Sequence, residues 1–328
     1  CSNVPAIHIV GTNGKGSISA FLESILLEAR INIGVTTSPH MLNICERIRV
    51  NKKQISNLEL ETLLQSIQNE SKIYKLSPFE LIICCALKFF ESKKVDLLIL
   101  EAGLGGRLDA TTAFKLRPII AFSSIGFDHK EFLGESLEEI THEKVAVIEK
   151  GSTVISCNQN NIVKKIITEK VADMGATIKW VRPLSEKFTL GLKGHFQREN
   201  AAVALGVINT LKENGWEINN DHIKDGFLNT SWRGRLEVVQ WRNREFIIDS
   251  AHNPSAAIAL SRERKNWDYE SEGIFWILGI LEQKDFANFI RNLVKPIDKI
   301  LLVPIENQKS CSKKDITKVD DLNSLEIL

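Results

Sequence analysis

The chain has 328 residues, with 42 Lys and Arg against 41 Asp and Glu, and 43% of its residues are hydrophobic. That length exceeds the usual single core, so two domains are expected, and the near-zero net charge excludes recruitment of nucleic acid by bulk charge. No apolar run is long enough to span a bilayer and no signal-peptide pattern precedes the first strand, so a cytoplasmic, membrane-free protein is expected.

In chain order, residues 6–10 read as a buried strand, Gly11-Thr12-Asn13-Gly14-Lys15-Gly16-Ser17 as a glycine-rich turn, and residues 18–30 as an amphipathic helix. Strand, glycine turn and helix in that order wrap a phosphate in backbone N–H groups, and Lys15 adds a point charge toward the outer phosphates. The common phosphate loop places Ser or Thr directly after its Lys to ligate magnesium. Here Gly16 stands there, so the hydroxyl must come from Ser17 or from elsewhere. Strand 34–36 leads into Thr37-Ser38-Pro39-His40, and Ser38 is the candidate to restore it.

Helical patterns at 58–70 and 78–93 precede a strand at 95–100, which delivers Glu101 to its carboxyl end ahead of Ala102-Gly103-Leu104-Gly105-Gly106-Arg107-Leu108-Asp109. A carboxylate at a strand tip beside a phosphate loop is a typical magnesium ligand. Strand 119–123 ends near Asp128-His129, which makes His129 a candidate ligand for a second metal. The helical pattern 137–150 carries Lys144, which, if buried near a cation, can lose its proton and be carbamylated into a metal-binding anion. A strand at 154–157 and a helix at 160–174 follow. Strands alternating with helices imply a mostly parallel sheet with helices on both faces, and ligands at the carboxyl ends of the strands.

A second pattern opens at Trp232-Arg233-Gly234-Arg235. Strand 246–248 ends in Asp249-Ser250-Ala251-His252-Asn253-Pro254, a helix starts at Ser255, strands are expected at 274–278 and 299–303, and a helix at 286–294 separates these two. This is a smaller, Rossmann-like α/β domain, so the expected domains are 1–234 and 235–328 with a hinge near Gly234. Arg235 at the hinge and Asp249 and His252 at a strand tip suggest a nucleotide closed between two domains. Cysteines 1, 45, 84, 85, 157 and 311 show no CxxC pair or zinc-like spacing and read as reduced, mostly buried thiols. A strand begins almost at once after Cys1, as in a chain lacking its natural start.

With these residues assembled, the chain resembles the folylpolyglutamate synthase/dihydrofolate synthase family of the Mur ligase superfamily. The resemblance runs through the phosphate loop at 11–17, Thr37-Ser38-Pro39-His40 with Glu46-Arg47-Ile48, and the block Glu101 to Thr111, its most specific part. It continues through Asp128-His129, Glu143-Lys144, the segment Leu192 to Ala201, Trp232-Arg233-Gly234-Arg235 and Asp249 to Pro254. It implies a central ATP-binding Mur ligase domain over 1–234 and a C-terminal Mur ligase-like domain over 235–328, shorter than is usual at both chain ends. It also implies that Thr12, Asn13, Gly14, Lys15, Gly16, Ser17, Asn200, Arg235 and Asp249 grip ATP. Ser38 and Glu101 would hold one magnesium ion, His129 and carbamylated Lys144 a second. His252 would lie near the incoming glutamate and the phosphates, making Lys15, Lys144 and His252 the catalytic set, while Pro39 and His40 would face the folate. Potassium is the usual monovalent cation, and a monomer is expected.

The reaction so implied is an ATP-dependent ligation of L-glutamate to a folate or dihydropteroate carboxylate, giving ADP and phosphate, with one bifunctional enzyme performing both. A carboxylate is a poor electrophile; phosphorylation converts it to an acyl phosphate that the amine of glutamate attacks. Rival readings are a Mur-type ligase on a UDP-sugar, a non-catalytic nucleotide-binding fragment, and a phosphate-loop hydrolase or switch. The block 101–111 and the Ser-Pro-His step favour folate over the sugar, and the two-domain layout disfavours the hydrolase.

Overall fold

The computed structural model describes residues 3–267, 270–306, 308–311 and 326–327. Its chain divides into two compact units, Cys1–Ile125 with Leu133–Ile248, and Gly126–Phe132 with Asp249–Leu328. Residues 235–248 thus group with the first unit, and the short segment Gly126–Phe132 with the C-terminal piece.

The first unit is built on one sheet. Its strands are β1 (Ala6–Val10), β2 (Ile33–Thr36), β3 (Ile48–Val50), β4 (Lys53–Gln54), β5 (Leu97–Glu101), β6 (Ile119–Phe122), β7 (Thr153–Ser156) and β8 (Thr177–Trp180). They lie in the order β4-β3-β2-β5-β1-β6-β7-β8, parallel from β2 to β8, with β3 and β4 antiparallel at one edge. All five residues of β1 are buried, as a central parallel strand covered on both faces requires. Successive side chains alternate between faces. Ile7 and Ile9 join one core with Phe21, Leu22, Val203 and Phe227, while Ala6 and Val10 join the cores on the opposite face.

Helices α1 (Lys15–Glu28), α2 (Asn57–Ser66), α3 (Gln68–Tyr74) and α4 (Pro78–Ser92) come first in the chain. The short α5 (Lys130–Leu133) falls mostly within the second unit, and α6 (Leu137–Val145), α7 (Asn161–Asp173), α8 (Phe196–Glu213) and α9 (Asn220–Leu228) follow in the first. The α4 start is a complete local signal: Ser77 caps it, Pro78 opens it and Glu80 closes the capping box. By contrast, α1 is not the expected amphipathic helix, because every residue from Gly16 to Leu26 is buried. It is enclosed by the sheet, α8 and α9, and a Cβ on Gly226 of α9 would lie 2.5 Å from the Cα of Ile25.

The expected helix 58–70 is two helices, broken where Ile67 leaves helical geometry and buries its side chain. The pattern 137–150 stops at Val145 because the Glu143 carbonyl accepts the Arg107 N–H, at 3.0 Å, instead of continuing the helix. Strand 246–248 belongs to β10 (Arg244–Ile248), which pairs antiparallel with β9 (Glu237–Trp241) as a separate ribbon and not with the later strands.

The second unit contains α10 (Pro254–Glu263), β11 (Phe275–Leu278), α11 (Phe286–Leu293), β12 (Lys299–Leu302) and β13 (Glu326–Ile327), with the three strands parallel in the order β11-β12-β13. The buried residues of α11, Phe286, Phe289, Ile290 and Leu293, recur at helical spacing and form its inner face. Arg264 is fully buried and grips Asp298 through two bonds of 2.8 and 2.9 Å. Asp298 also accepts the Trp276 indole N–H and the Ile274 and Lys295 amides, so the buried pair is closed on all sides.

Candidate active site

The glycine turn and the N-terminus of α1 form the floor of the site. Gly14 caps the helix in the left-handed region, φ 95°, where a side chain is strained. Space forbids one as well, since a Cβ on Gly14 would lie 2.2 Å from Oδ1 of Asn200. Asn200 therefore packs on the phosphate loop, held by its amide bond to Gln197 Oε1 at 2.9 Å. The loop is tied to the end of β6, where the Ser124 carbonyl accepts the amides of Thr12 and Asn13, at 2.8 and 3.3 Å.

Two lysine side chains meet one carbonyl. Lys15 Nζ donates to Gly11 and Thr12 oxygens at 3.2 Å each, and buried Lys144 Nζ donates to the same Gly11 oxygen at 3.0 Å. What carries Lys144 there is the loop after Glu101. A Cβ on Gly106 would lie 2.9 Å from the carbonyl oxygens of both Glu143 and Lys144, so only glycine lets this loop seat on the end of α6.

The loop itself is braced by Asp109, whose carboxylate accepts the Gly103 and Leu104 amides and the Thr111 amide and hydroxyl. His8 extends the brace into β1. Arg117 donates to its Nδ1 at 2.9 Å, leaving Nε2–H to donate to Thr111 Oγ1 at 2.8 Å. Full burial, reinforced by Arg117, lowers the His8 pKa to about 3, so the ring stays neutral.

Glu101 ends β5, paired with Ile9, and is buried. Burial raises its pKa to about 7 against the opposing pull of Lys15, Arg235, the Ser38 amide and Arg49. Its Oε2 has no hydrogen-bond partner among the described residues, and neither do the buried Ser17 Oγ, Ser123 Oγ and Gln197 Nε2. All four residues border the phosphate loop: Ser17 ends it, Ser123 faces Gly11, Gln197 supports Asn200, and Glu101 feels the Lys15 charge. Buried polar atoms without partners are rare in folded proteins, and a cluster of them marks a ligand or ion site.

Thr37 to Arg47 forms the adjoining wall. Glu46 accepts the Met41, Leu42 and Asn43 amides at 2.8–2.9 Å, and these bonds outweigh burial to lower its pKa. Ser38–Pro39 is a cis peptide, and His40 accepts a bond from Arg47 at 2.9 Å. Arg49 pairs with Glu23 of α1 at 2.9 Å and also donates to Thr37 Oγ1 and the Glu46 carbonyl.

The first unit therefore brings together Thr12, Asn13, Gly14, Lys15, Gly16, Ser17, Ser38, Glu101, Lys144, Asn200 and Arg235. His129, Asp249 and His252 belong to the second unit. There Asp128 is the centre: its carboxylate accepts from Lys284 at 2.7 Å and Asn253 at 3.0 Å, and lies 3.3 Å from His252 Nε2. Burial opposes its charge, but the His252 and Lys284 bonds hold the carboxyl well below the usual carboxylate range. His252 Nδ1 meets the Ser250 carbonyl at 2.9 Å, so both ring nitrogens face oxygen. His129 has left-handed backbone, φ 50°, and its ring lies 3.7 Å from Asp128. Asp249 accepts the Ala251 amide at 2.9 Å. Among the described residues no three His, Cys, Asp or Glu side chains form a metal cluster, so a metal here would need the hydroxyl and lysine donors the sequence suggests.

The roles of Asp128, Lys284, Glu23 and Trp232 were not read from sequence. The one charged residue among Ile18, Phe21, Leu22, Ile25 and Leu26 is the available signal for Glu23, and the Glu282-Gln283-Lys284-Asp285 run the one for Lys284. The thiols of Cys45, Cys84, Cys85, Cys157 and Cys311 are unbridged, as expected, and Cys1 lies outside the described residues.

A family model for the C-terminal domain of dihydrofolate synthetase matches residues 234–323. The dihydrofolate synthetase of Saccharomyces cerevisiae is 29% identical over 93% of this chain and 78% of its own length. A solved bifunctional folylpolyglutamate synthase/dihydrofolate synthase with Mn, AMPPNP and L-glutamate bound is 28% identical and superposes with a TM-score of 0.87, covering 100% of this chain and 81% of that one. The dihydrofolate synthase/folylpolyglutamate synthase of Buchnera aphidicola subsp. Schizaphis graminum is 31% identical over 96% of this chain and 77% of its own length. With a phosphate loop, a buried strand-tip carboxylate and that extent of likeness together, this chain belongs to the dihydrofolate synthase/folylpolyglutamate synthase family.

Proposed function

We propose that this protein is an ADP-forming ligase that joins L-glutamate to the carboxylate of dihydropteroate or a reduced folate, and that it serves both acceptors. The observation carrying the reading is the convergence of Lys15 and Lys144 on the Gly11 carbonyl beside a buried carboxylate whose Oε2 has no partner among the described residues. ATP with a divalent ion is the co-substrate that such a site accommodates, and relatives of this chain hold ADP or AMPPNP with Mn.

The glycine-loop amides and Lys15 offset charge on the γ-phosphoryl group as it passes to the acceptor carboxylate. Asn200 fixes the loop at Gly14, so the donors stay aimed during transfer. The neutral amine of glutamate then attacks the acyl carbon, a tetrahedral intermediate collapses, phosphate leaves with the pair of electrons from the broken C–O bond, and the nitrogen gives up a proton to solvent. When bound, magnesium neutralises phosphate charge; Glu101 Oε2 and the neighbouring Ser38 are its proposed holders, and the unpartnered buried oxygen fits that role. Arg235, which influences Glu101 electrostatically, is read as a nucleotide contact. In the second unit Asp249 is read as another nucleotide contact and His252 as a group for glutamate or phosphate. His129 is read as a metal donor, and Pro39 and His40 as folate contacts.

The burial of Lys144 suits a carbamate. Native protein incubated with bicarbonate should carry a mass increment on the Lys144 peptide that acid removes, and an unmodified peptide under those conditions counts against it. Potassium stimulation, a monomeric state and a cytoplasmic site of action complete the reading; no described helix is long and apolar enough to cross a membrane. Product analysis tests the acceptor. With ATP and glutamate, dihydropteroate and tetrahydrofolate should each gain one glutamyl residue by mass. Gain on one alone removes the bifunctional reading, and gain on neither removes the ligase.

A further inference from the structure

The position after Lys15 has a physical explanation in the fold. A Cβ built on Gly16 would lie 3.0 Å from Nε1 of Trp232, 3.3 Å from Cε2 and 3.5 Å from Cζ2. The indole thus fills the direction in which the common phosphate loop projects its hydroxyl. Nor is the ring loosely placed. The Arg49 guanidinium lies over it, 4.9 Å from the ring centroid, at a separation where a cation attracts an aromatic face. Arg49 is itself pinned by Glu23, Thr37 and the Glu46 carbonyl, and Trp232 packs against the core that contains α1.

We propose that Trp232 is a positioning residue for the nucleotide: clamped by Arg49, its indole takes the place of the loop's usual hydroxyl residue and holds the turn at Lys15 and Gly16 in its binding shape. Gly16 and Trp232 are then one unit. Gly16 is glycine because the indole is there, and the indole is needed because Gly16 leaves a gap. The hydroxyl that meets magnesium is displaced to another part of the chain. This rests on the reading that the loop binds nucleotide.

The test is a four-member cycle of the full chain: wild type, Gly16→Ser, Trp232→Ala and the double variant. ADP affinity is measured by calorimetry with magnesium, and KM for ATP and kcat come from glutamate-dependent ADP release. Gly16→Ser restores the Lys-Ser step of the common phosphate loop, yet it should weaken ADP binding about tenfold, within the range of coupling between touching residues. Trp232→Ala should raise KM for ATP several-fold with a smaller change in kcat. In the Trp232→Ala background the serine should cost less than about twofold, because the clash is gone. Trp232→Phe, which keeps an aromatic plane, should bring KM for ATP most of the way back to the wild-type value, an effect separate from any change in melting temperature.

Wild-type affinity in Gly16→Ser, or costs that multiply in the double variant, overturns the proposal while leaving the nucleotide site standing. No ADP binding by folded wild-type protein overturns both. If Trp232→Ala fails to fold, Trp232→Leu, which also removes the ring, takes its place in the cycle, and additive costs there are equally fatal.

Discussion

His8 shows how one buried side chain can serve a site it does not touch. Its neutral ring passes the Arg117 contact through Thr111 and Asp109 to the amides of Gly103 and Leu104, fixing the turn that follows Glu101. Folding lowers its pKa from 6.5 to about 3, so the unfolded chain binds a proton across that window that the native state refuses. Stability from this group is fully present above pH 6.5 and lost as pH falls toward 3, at up to about 1.4 kcal/mol per pH unit. Denaturant melts of wild type and His8→Gln between pH 7 and about pH 5 should show the difference between them narrowing as pH falls. A constant difference would place the proton elsewhere. His8 is visible in the sequence only as a histidine inside an apolar strand; its partners come from residues a hundred positions away, which periodicity does not reach.

At the scale of elements, local signals located most of the first unit. β1, the glycine turn, capped α4 and the strand carrying Glu101 each announce themselves within a dozen residues. The misses share one cause, namely a partner distant in sequence. α1 reads as amphipathic until α8 and α9 enclose it, and α6 reads longer until the Arg107 amide takes its Glu143 carbonyl. β10 resembles the first strand of the second domain until β9 claims it. The seating of the 101–109 loop on α6 makes a prediction at this scale. Gly106→Ala drives a Cβ against two main-chain oxygens that cannot rotate aside. It should lower stability by about 1–3 kcal/mol and reduce ligase activity more than a distant change of equal stability cost, because it displaces Lys144 relative to Gly11. Urea denaturation paired with ADP release checks both, and unaltered activity would detach the loop from the site.

For the whole molecule, the phosphate loop, Glu101, Lys144, Asn200 and Arg235 lie within the first unit, and the motifs located them by order alone. What the motifs did not show is the supporting structure: Arg49 with Glu23, Trp232 over Gly16, and Asp128 between His252 and Lys284. Such pairs depend on shape, since a charge or an aromatic ring is ordinary in sequence until its partner is placed. The second unit adds the Arg264 and Asp298 pair, whose buried bonds anchor β11 and the turn before β12.

The decisive measurement is glutamate-dependent ADP release by the full chain with magnesium, potassium and either dihydropteroate or tetrahydrofolate, made alongside Lys15→Ala and Glu101→Gln. The proposed ligase requires both glutamate and an acceptor for release, which should fall by at least about a hundredfold in each variant while its melting transition is retained. Release that ignores glutamate, or a folded Lys15→Ala protein with full activity, would contradict it.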